Sequence, residues 1–144
     1  MVTVSQVLKE KGSLTWNIRP EATVYEALQL MADKNIGGLL VVEGEQLVGI
    51  FTERDYARKV ILQGKRSSEI SVSEIMTPQV ITVGVERDIV ECMELMTEKR
   101  IRHLPVIHEG QIAGMISIGD VVKAIISEQK FLIDRLESYI SGER

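Results

Sequence analysis

Apolar and polar positions run along this chain in a pattern that occurs twice. Val24 to Val60 aligns without a gap on Ile89 to Ile125, at an offset of 65 residues. Ten of those 37 pairs are identical: Glu26/Glu91, Leu30/Leu95, Met31/Met96, Lys34/Lys99, Ile36/Ile101, Leu39/Leu104, Val41/Val106, Gln46/Gln111, Gly49/Gly114 and Asp55/Asp120. Most others keep hydrophobic character, as in Val24/Ile89, Leu28/Met93 and Val60/Ile125. Two copies are too few for a solenoid. The repeat therefore predicts a pseudo-symmetric pair of units packed face to face.

Each copy has the same order of elements. A short strand near Leu14–Ile18 opens the first, and Val80–Val83 is its counterpart in the second. A helix follows. Thr23 with Glu26, and Asp88 with Glu91, have the spacing of capping boxes. Ala27, Leu28, Leu30 and Met31 then keep a helical apolar stripe, which ends near Lys34-Asn35 with cations in the last turn. Leu39–Val42 and Leu104–Ile107 are nearly all apolar, as strands buried on both faces are. Glu43-Gly44-Glu45 and His108-Glu109-Gly110 are hairpin turns, returning through Leu47–Phe51 and Ile112–Ile116. A second helix starts at Thr52 in one copy and at Ser117 in the other. The result is a β-α-β-β-α unit, doubled, in an α+β fold.

The polar stretch Gln63–Glu69 reads as the linker between copies. This divides the chain into residues 1–66, the first unit with the N-terminal segment and the start of the linker; 67–128, the second unit; and 129–144, a C-terminal helical extension. The first copy's second helix stops near Gly64, whereas the second copy's runs to about Ile140. Ile125, Ile126, Leu132, Ile133, Leu136, Tyr139 and Ile140 give it a continuous apolar face. That face packs either back on its own unit or on another subunit.

Composition narrows the function. The net charge is −4, which argues against a nucleic-acid partner because phosphate neutralisation needs clustered Lys and Arg. The single cysteine, Cys92, excludes an intrachain disulfide and fits a reducing compartment. No apolar run approaches a signal sequence or the ~18 residues of a membrane helix. A cytoplasmic protein with no membrane association is the expectation.

The end of the return strand is where chemistry gathers. Copy one reads Gly49-Ile50-Phe51-Thr52-Glu53-Arg54-Asp55, and copy two Gly114-Met115-Ile116-Ser117-Ile118-Gly119-Asp120. Both fit Gly-apolar-apolar-Thr/Ser-x-x-Asp. A plain helix cap explains the Thr/Ser–Asp pair, and close backbone packing explains the glycines. The same turn also suits an anionic ligand, since free N–H groups and the positive dipole end meet there. A carboxylate on the first turn accepts hydrogen bonds from a ribose diol, and a neighbouring hydroxyl donates to phosphate. Recurrence of the turn in both copies favours binding.

With its two strand-to-helix motifs and the stretch Ile101-Arg102-His103-Leu104-Pro105-Val106, the chain resembles a tandem pair of CBS domains, the family named after cystathionine β-synthase. Such a pair is also called a Bateman module. The resemblance covers roughly residues 5–127. It implies regulatory binding of adenosine compounds in clefts between the two domains, with AMP, ADP, ATP, NAD(H) and S-adenosylmethionine as ligands, and a disc-like homodimer. By motif position, Thr52 and Asp55 contact phosphate and ribose at one site, and Ser117 and Asp120 at the other. Arg102 and His103 match the positions that hold phosphate. Asn17, Ile18, Thr82 and Val83 sit where the family places the adenine. In copy one, Gly37-Gly38 replaces Arg102-His103, and the compensating cation is either Arg54 inside the motif or Arg102 and His103 reaching across the pseudo-twofold. The cations favour a ligand with at least one phosphate over S-adenosylmethionine. The implied role is energy or redox sensing, with an effector protein in trans.

Other constellations are weak. His103 and His108 lie five apart on a strand and face opposite sides, which disfavours a metal site. Cys92 aligns with Ala27 on an apolar stripe and reads as a core residue. Trp16 stacks on a base, packs at a dimer surface or fills the core. No nucleophilic triad and no Gly-x-x-x-x-Gly-Lys loop is present, so neither catalysis nor a catalytic cofactor is expected. A structural dimerisation module whose motifs are only helix caps is the rival reading, and a nucleotide hydrolase the more distant one.

Overall fold

The computed structural model describes residues 1–142, and the last two residues of the expected 129–144 extension lie outside it. The chain forms helix α1 (Val4–Lys11), strand β1 (Asn17–Ile18), α2 (Val24–Lys34), β2 (Gly38–Glu43), β3 (Gln46–Thr52), α3 (Glu53–Tyr56), α4 (Val72–Ile75), α5 (Ile89–Lys99), β4 (His103–His108), β5 (Gln111–Ser117) and α6 (Ile118–Ile140). A π-helical turn, Ala57–Ile61, continues α3. The β-α-β-β-α order stands in the first repeat and recurs in the second as α-β-β-α, and the C-terminal helix ends at Ile140 as expected.

Each repeat builds a hairpin on which its helices pack. In the first, β2 and β3 are antiparallel, with β1 parallel on the far side of β2. In the second, β4 and β5 form the same hairpin, down to a one-residue irregularity at the equivalent place. Both hairpins close in two residues. Gly44 has a positive φ of 64° in one, and Glu109 and Gly110 have φ of 52° and 78° in the other, the values that hairpin turns require. The strand expected at Val80–Val83 shrinks to a single bridge, Val83 with Val106. Proline explains this. In the first repeat the Leu40 N–H donates to the Trp16 carbonyl at 3.2 Å, but the equivalent of Leu40 is Pro105, which has no N–H to give. The strand expected at Leu14–Ile18 is likewise confined to Asn17–Ile18.

The division of the chain differs from the one read from sequence. One compact unit is Leu14–Ile81; the other joins Met1–Ser13 to the chain from Thr82 onward. The boundary at residue 66 is therefore corrected to Ile81, and the N-terminal segment moves to the second repeat's unit. Two short helices cause this. The α1 helix precedes the first repeat but bonds to the second, through Val4 N–H to the Arg87 carbonyl (2.9 Å) and Ser5 N–H to that of Val85 (2.8 Å). The α4 helix precedes the second repeat but bonds to the first, through Val72 N–H to the Ala22 carbonyl (2.8 Å) and Ser73 N–H to that of Pro20 (2.9 Å). Arg87 and Val85 are the repeat equivalents of Ala22 and Pro20, so the two docking modes are the same. Both helices have reciprocal caps, Thr3 with Gln6 and Ser71 with Glu74.

The first repeat's core joins Val24, Ala27 and Met31 of α2 to Leu39, Val41 and Phe51 of the hairpin and to Val72 and Ile75 of α4. The second buries Ile89, Cys92 and Met96 with Leu104, Val106 and Ile116, closed by Val4 and Leu8 of α1. Cys92 is fully buried, and burial pushes its thiol up to about 11, so it is an apolar filler and not a nucleophile. Trp16 is partly buried against the first core, with the Lys34 ammonium 4.4 Å from its ring centre, which favours the core-filling option for this residue.

Two expectations are modified. Thr23 and Asp88 cap α2 and α5 with their side chains, at Glu26 N–H (3.1 Å) and Val90 N–H (2.8 Å), but neither shows the reciprocal bond of a full capping box. The second is the C-terminal face. Val121 is the buried residue of α6, while Phe131, Leu132, Ile133 and Leu136 are half to two-thirds exposed. Packing of the extension back on its own unit is not what the structure shows.

Candidate functional site

In each unit the return strand delivers a hydroxyl to a helix N-terminus, and three residues later the helix supplies a carboxylate. In the Leu14–Ile81 unit, Thr52 is the last residue of β3 and the N-cap of α3. Its Oγ1 accepts from the Asp55 N–H (3.3 Å), and Asp55 Oδ2 accepts from the Thr52 N–H (3.0 Å) and hydroxyl (3.1 Å). Asp55 is the one charged residue among those described that is buried, at 8% exposure. Burying a charge is expensive unless it is paired. The pairing comes from the Thr77 hydroxyl at 3.3 Å and the Lys59 ammonium at 3.0 Å. Lys59 also donates to the Ile75 carbonyl, 3.2 Å away.

The second repeat builds the same turn with a different lysine. Ser117 caps α6 and exchanges reciprocal bonds with Asp120: its N–H and hydroxyl reach Oδ2 at 2.8 and 3.1 Å, and its Oγ accepts from the Asp120 N–H at 3.3 Å. The cation is Lys11, the last residue of α1, which donates to Asp120 Oδ2 at 2.6 Å and to the Met115 carbonyl at 2.9 Å. Burial works to raise the Asp120 pKa, but the Lys11 and Ser117 hydrogen bonds and the Lys11 charge outweigh it and hold the carboxyl below its usual value. Each carboxylate thus sits between a hydroxyl and an ammonium, and each lysine is shared with a backbone carbonyl.

The remaining candidates fall into two groups. Arg102 and His103 are brought to the turn, because His103 pairs with Ser117 across the hairpin and the Arg102 carbonyl accepts from the Ile118 N–H at 2.9 Å. In the other unit Gly38 pairs with Thr52, and the Gly37 carbonyl accepts from Glu53 at 3.1 Å, so two glycines occupy the equivalent place. Arg54 is exposed on the first turn of α3. Asn17 and Ile18 are less close, since β2 lies between β1 and the Thr52 strand. Thr82 is exposed. Val83 has its side chain in the core, and its N–H and carbonyl already bond to Pro105 and Ile107 of β4 at 3.1 and 2.9 Å. It has little left to offer a ligand.

Sequence reasoning missed Lys59, Thr77 and Lys11. Lys59 was open to discovery, since it stands four residues after Asp55 on one helical face. Lys11 is 109 residues from its partner and carries no local signal.

The Lys11–Asp120 pair has a measurable acid signature. A carboxyl whose folded pKa is depressed stabilises the fold above its unfolded pKa, and that contribution is lost as pH falls through the folded pKa. The unfolded reference is 3.8, so the loss begins below about pH 4. Lys11→Met raises the folded pKa and flattens this limb. Denaturant midpoints between pH 2.5 and 6 measure it, and an equally steep limb in the variant would refute the assignment.

A doubled chain built on one helix-flanked hairpin, with a hydroxyl–carboxylate turn at the same point of each repeat, defines a tandem module of two small α+β domains. The model of the CBS domain matches residues 17–61 and 72–127. The chain belongs to the CBS-domain family and carries two such domains. It is 46% identical over 150 residues to the CBS domain-containing protein CBSX3, mitochondrial, of Arabidopsis thaliana, an alignment that covers 97% of this chain and 72% of the relative. The CBS-domain structure from Burkholderia ambifaria MC40-6 superposes with a TM-score of 0.86 at 50% identity, covering 89% of this chain and 96% of that one. The CBS domain NE2398 does so with a TM-score of 0.84 at 48% identity, covering 87% and 98%. Among the described residues no helix is long and apolar enough to cross a membrane.

Proposed function

We propose that this protein is a regulatory module that binds an adenine nucleotide, namely AMP, ADP, ATP or NAD(H), and has no catalysis of its own. Binding changes its interaction with an effector protein in trans. A homodimer in a reducing compartment, the cytoplasm, completes the reading. The observation that carries it is the lysine set against the motif carboxylate in both units, Lys59 on Asp55 at 3.0 Å and Lys11 on Asp120 at 2.6 Å. A helix cap needs only the hydroxyl and the carboxylate. The ammonium adds what a nucleotide requires. The carboxylate accepts from the ribose diol, and the freed lysine meets phosphate oxygens. Charge-assisted contacts of this kind are roughly twice as strong as neutral ones.

The two turns are not equivalent in this reading. Ser117, Asp120, Arg102, His103 and Lys11 surround the second with three potential cations. Thr52, Asp55, Lys59 and Arg54 form the first, where Gly37-Gly38 leaves more room. Asn17 and Thr82 are the side chains we assign to the base. Phosphate-bearing ligands fit these cations better than S-adenosylmethionine, which is the alternative ligand.

Thermal unfolding of ligand-stripped protein against AMP, ADP, ATP, NAD, NADH and S-adenosylmethionine tests this. A ligand at 100 times its Kd adds about 2.7 kcal/mol, a shift of several degrees. A selective shift with a phosphate-bearing ligand is expected. A shift with S-adenosylmethionine alone would replace the ligand class, and no shift with any of the six would leave the motifs as helix caps. Product formation on incubation with ATP or NAD would overturn the non-catalytic assignment.

A further inference from the structure

The α6 helix is 23 residues long, and its second half is apolar and uncovered. Ile126, Ile133 and Ile140 recur every seven residues and are 60, 55 and 83% exposed. Val122 and Leu136, with Gln129 between them, fill the alternate positions of the same heptad. Leu132 and Tyr139 widen the stripe on one side and are 51 and 83% exposed. Phe131 stands outside it, with the Arg135 guanidinium over its ring. A stripe of this regularity is the seam of a helix pair, and exposed patches of this kind mark association surfaces.

The flanking charges select the partner and its direction. The other side of the stripe carries Lys123, Lys130 and Glu137, again seven apart. Two parallel copies of α6 set this row against the apolar Leu132–Tyr139 side and form no ion pair. Two antiparallel copies set the row against itself. Lys123 of each then meets Glu137 of the other, and the contact is made twice. The same register layers Val122 on Ile140, Ile126 on Leu136 and Gln129 on Ile133. Lys130 meets its own copy at the axis, with Asp134 one turn further on to balance it. Every contact from i to j is returned from j to i, as a closed twofold interface demands.

We infer that α6 is the site of a twofold interface, packing antiparallel against α6 of a second copy of this chain. The inference rests on the dimeric reading above and adds where the second copy sits. Light scattering and sedimentation of the full chain test the charges. The wild type is expected to be a dimer. Lys123→Glu and Glu137→Lys each weaken it, by about tenfold in Kd for two inverted pairs, and the double variant restores it. These residues are exposed, so circular dichroism should show the folded unit intact in each. Mixed Ile126→Cys and Leu136→Cys proteins are expected to form a heterodisulfide under mild oxidation, with the buried Cys92 not competing. A wild type that stays monomeric overturns the dimeric reading itself. A wild-type dimer that ignores the reversals and gives no heterodisulfide overturns only the placement on α6, and an Ile126→Cys homodisulfide overturns the antiparallel direction.

Discussion

Gly49→Ala lowers the melting temperature by several degrees, and Gly114→Ala lowers it by less. A Cβ at Gly49 would stand 2.5 Å from Met76 Sδ, 3.0 Å from its Cγ and 3.1 Å from the Thr77 carbonyl oxygen. The sulfur can swing away, but the carbonyl cannot. It accepts from the Ile50 N–H at 3.0 Å, in a bridge that ties the chain after α4 to β3. Relief therefore has to come from the backbone, and overpacking of this kind costs about 1–3 kcal/mol. At Gly114 the neighbours are Leu8 Cδ2 at 2.8 Å and Cδ1 at 3.1 Å, both at the end of one side chain. Leu8 is buried, so its movement is resisted but not forbidden. Calorimetry of the two variants beside Gly84→Ala makes the comparison. Gly84 has ordinary φ and its nearest neighbour is at 4.0 Å, so that variant should melt like the wild type. Equal melting of all three would mean that α1 and α4 do not press on the return strands as described.

Those two glycines also mark the limit of what sequence could tell. The repeat announced them as a pair, and close approach was one of the readings, but what approaches came from elsewhere in the chain. The α1 and α4 helices span eight and four residues. Neither offers enough turns for periodicity to register, and their partners are chosen by long-range contacts. This is why the boundary drawn at the polar linker misplaced both the N-terminal segment and α4. The longer elements were legible because each has a partner on a fixed face. The α2 and α5 helices end where Lys34-Asn35 and Lys99-Arg100 stop their stripes, with Asn35 and Arg100 both in the left-handed region. Pro105 belongs to the family-like stretch 101–106, but a motif carries no sign of the N–H that proline withholds from the neighbouring strand. The hydroxyl–carboxylate turns were legible to the residue, yet their lysines were not, because a cap motif records only local bonds.

Asp120→Asn abolishes most ligand binding at the second turn while costing little fold stability, and Asp55→Asn does the same at the first with a larger stability loss. Asparagine keeps an oxygen for the cap, so the N-terminus of each helix stays satisfied. What it removes is the charge that a ribose diol and a lysine both bind. Losing a charge-assisted hydrogen bond costs about 1.5–3 kcal/mol, which is a 10- to 100-fold rise in Kd. The stability terms differ because the settings differ. The Asp55 side chain is 11% exposed and serves Thr52, Thr77 and Lys59 together, so its replacement disturbs a buried network. The Asp120 side chain is 21% exposed and serves Ser117 and Lys11 only, so its replacement disturbs a smaller and wetter network. Titration calorimetry gives the Kd, and denaturant midpoints give the stability. Two variants that bind as tightly as the wild type would remove the carboxylates from the site. Loss of binding in Asp120→Asn alone would make the turn of Ser117, Arg102 and His103 the working site and leave the turn of Thr52 as a helix cap.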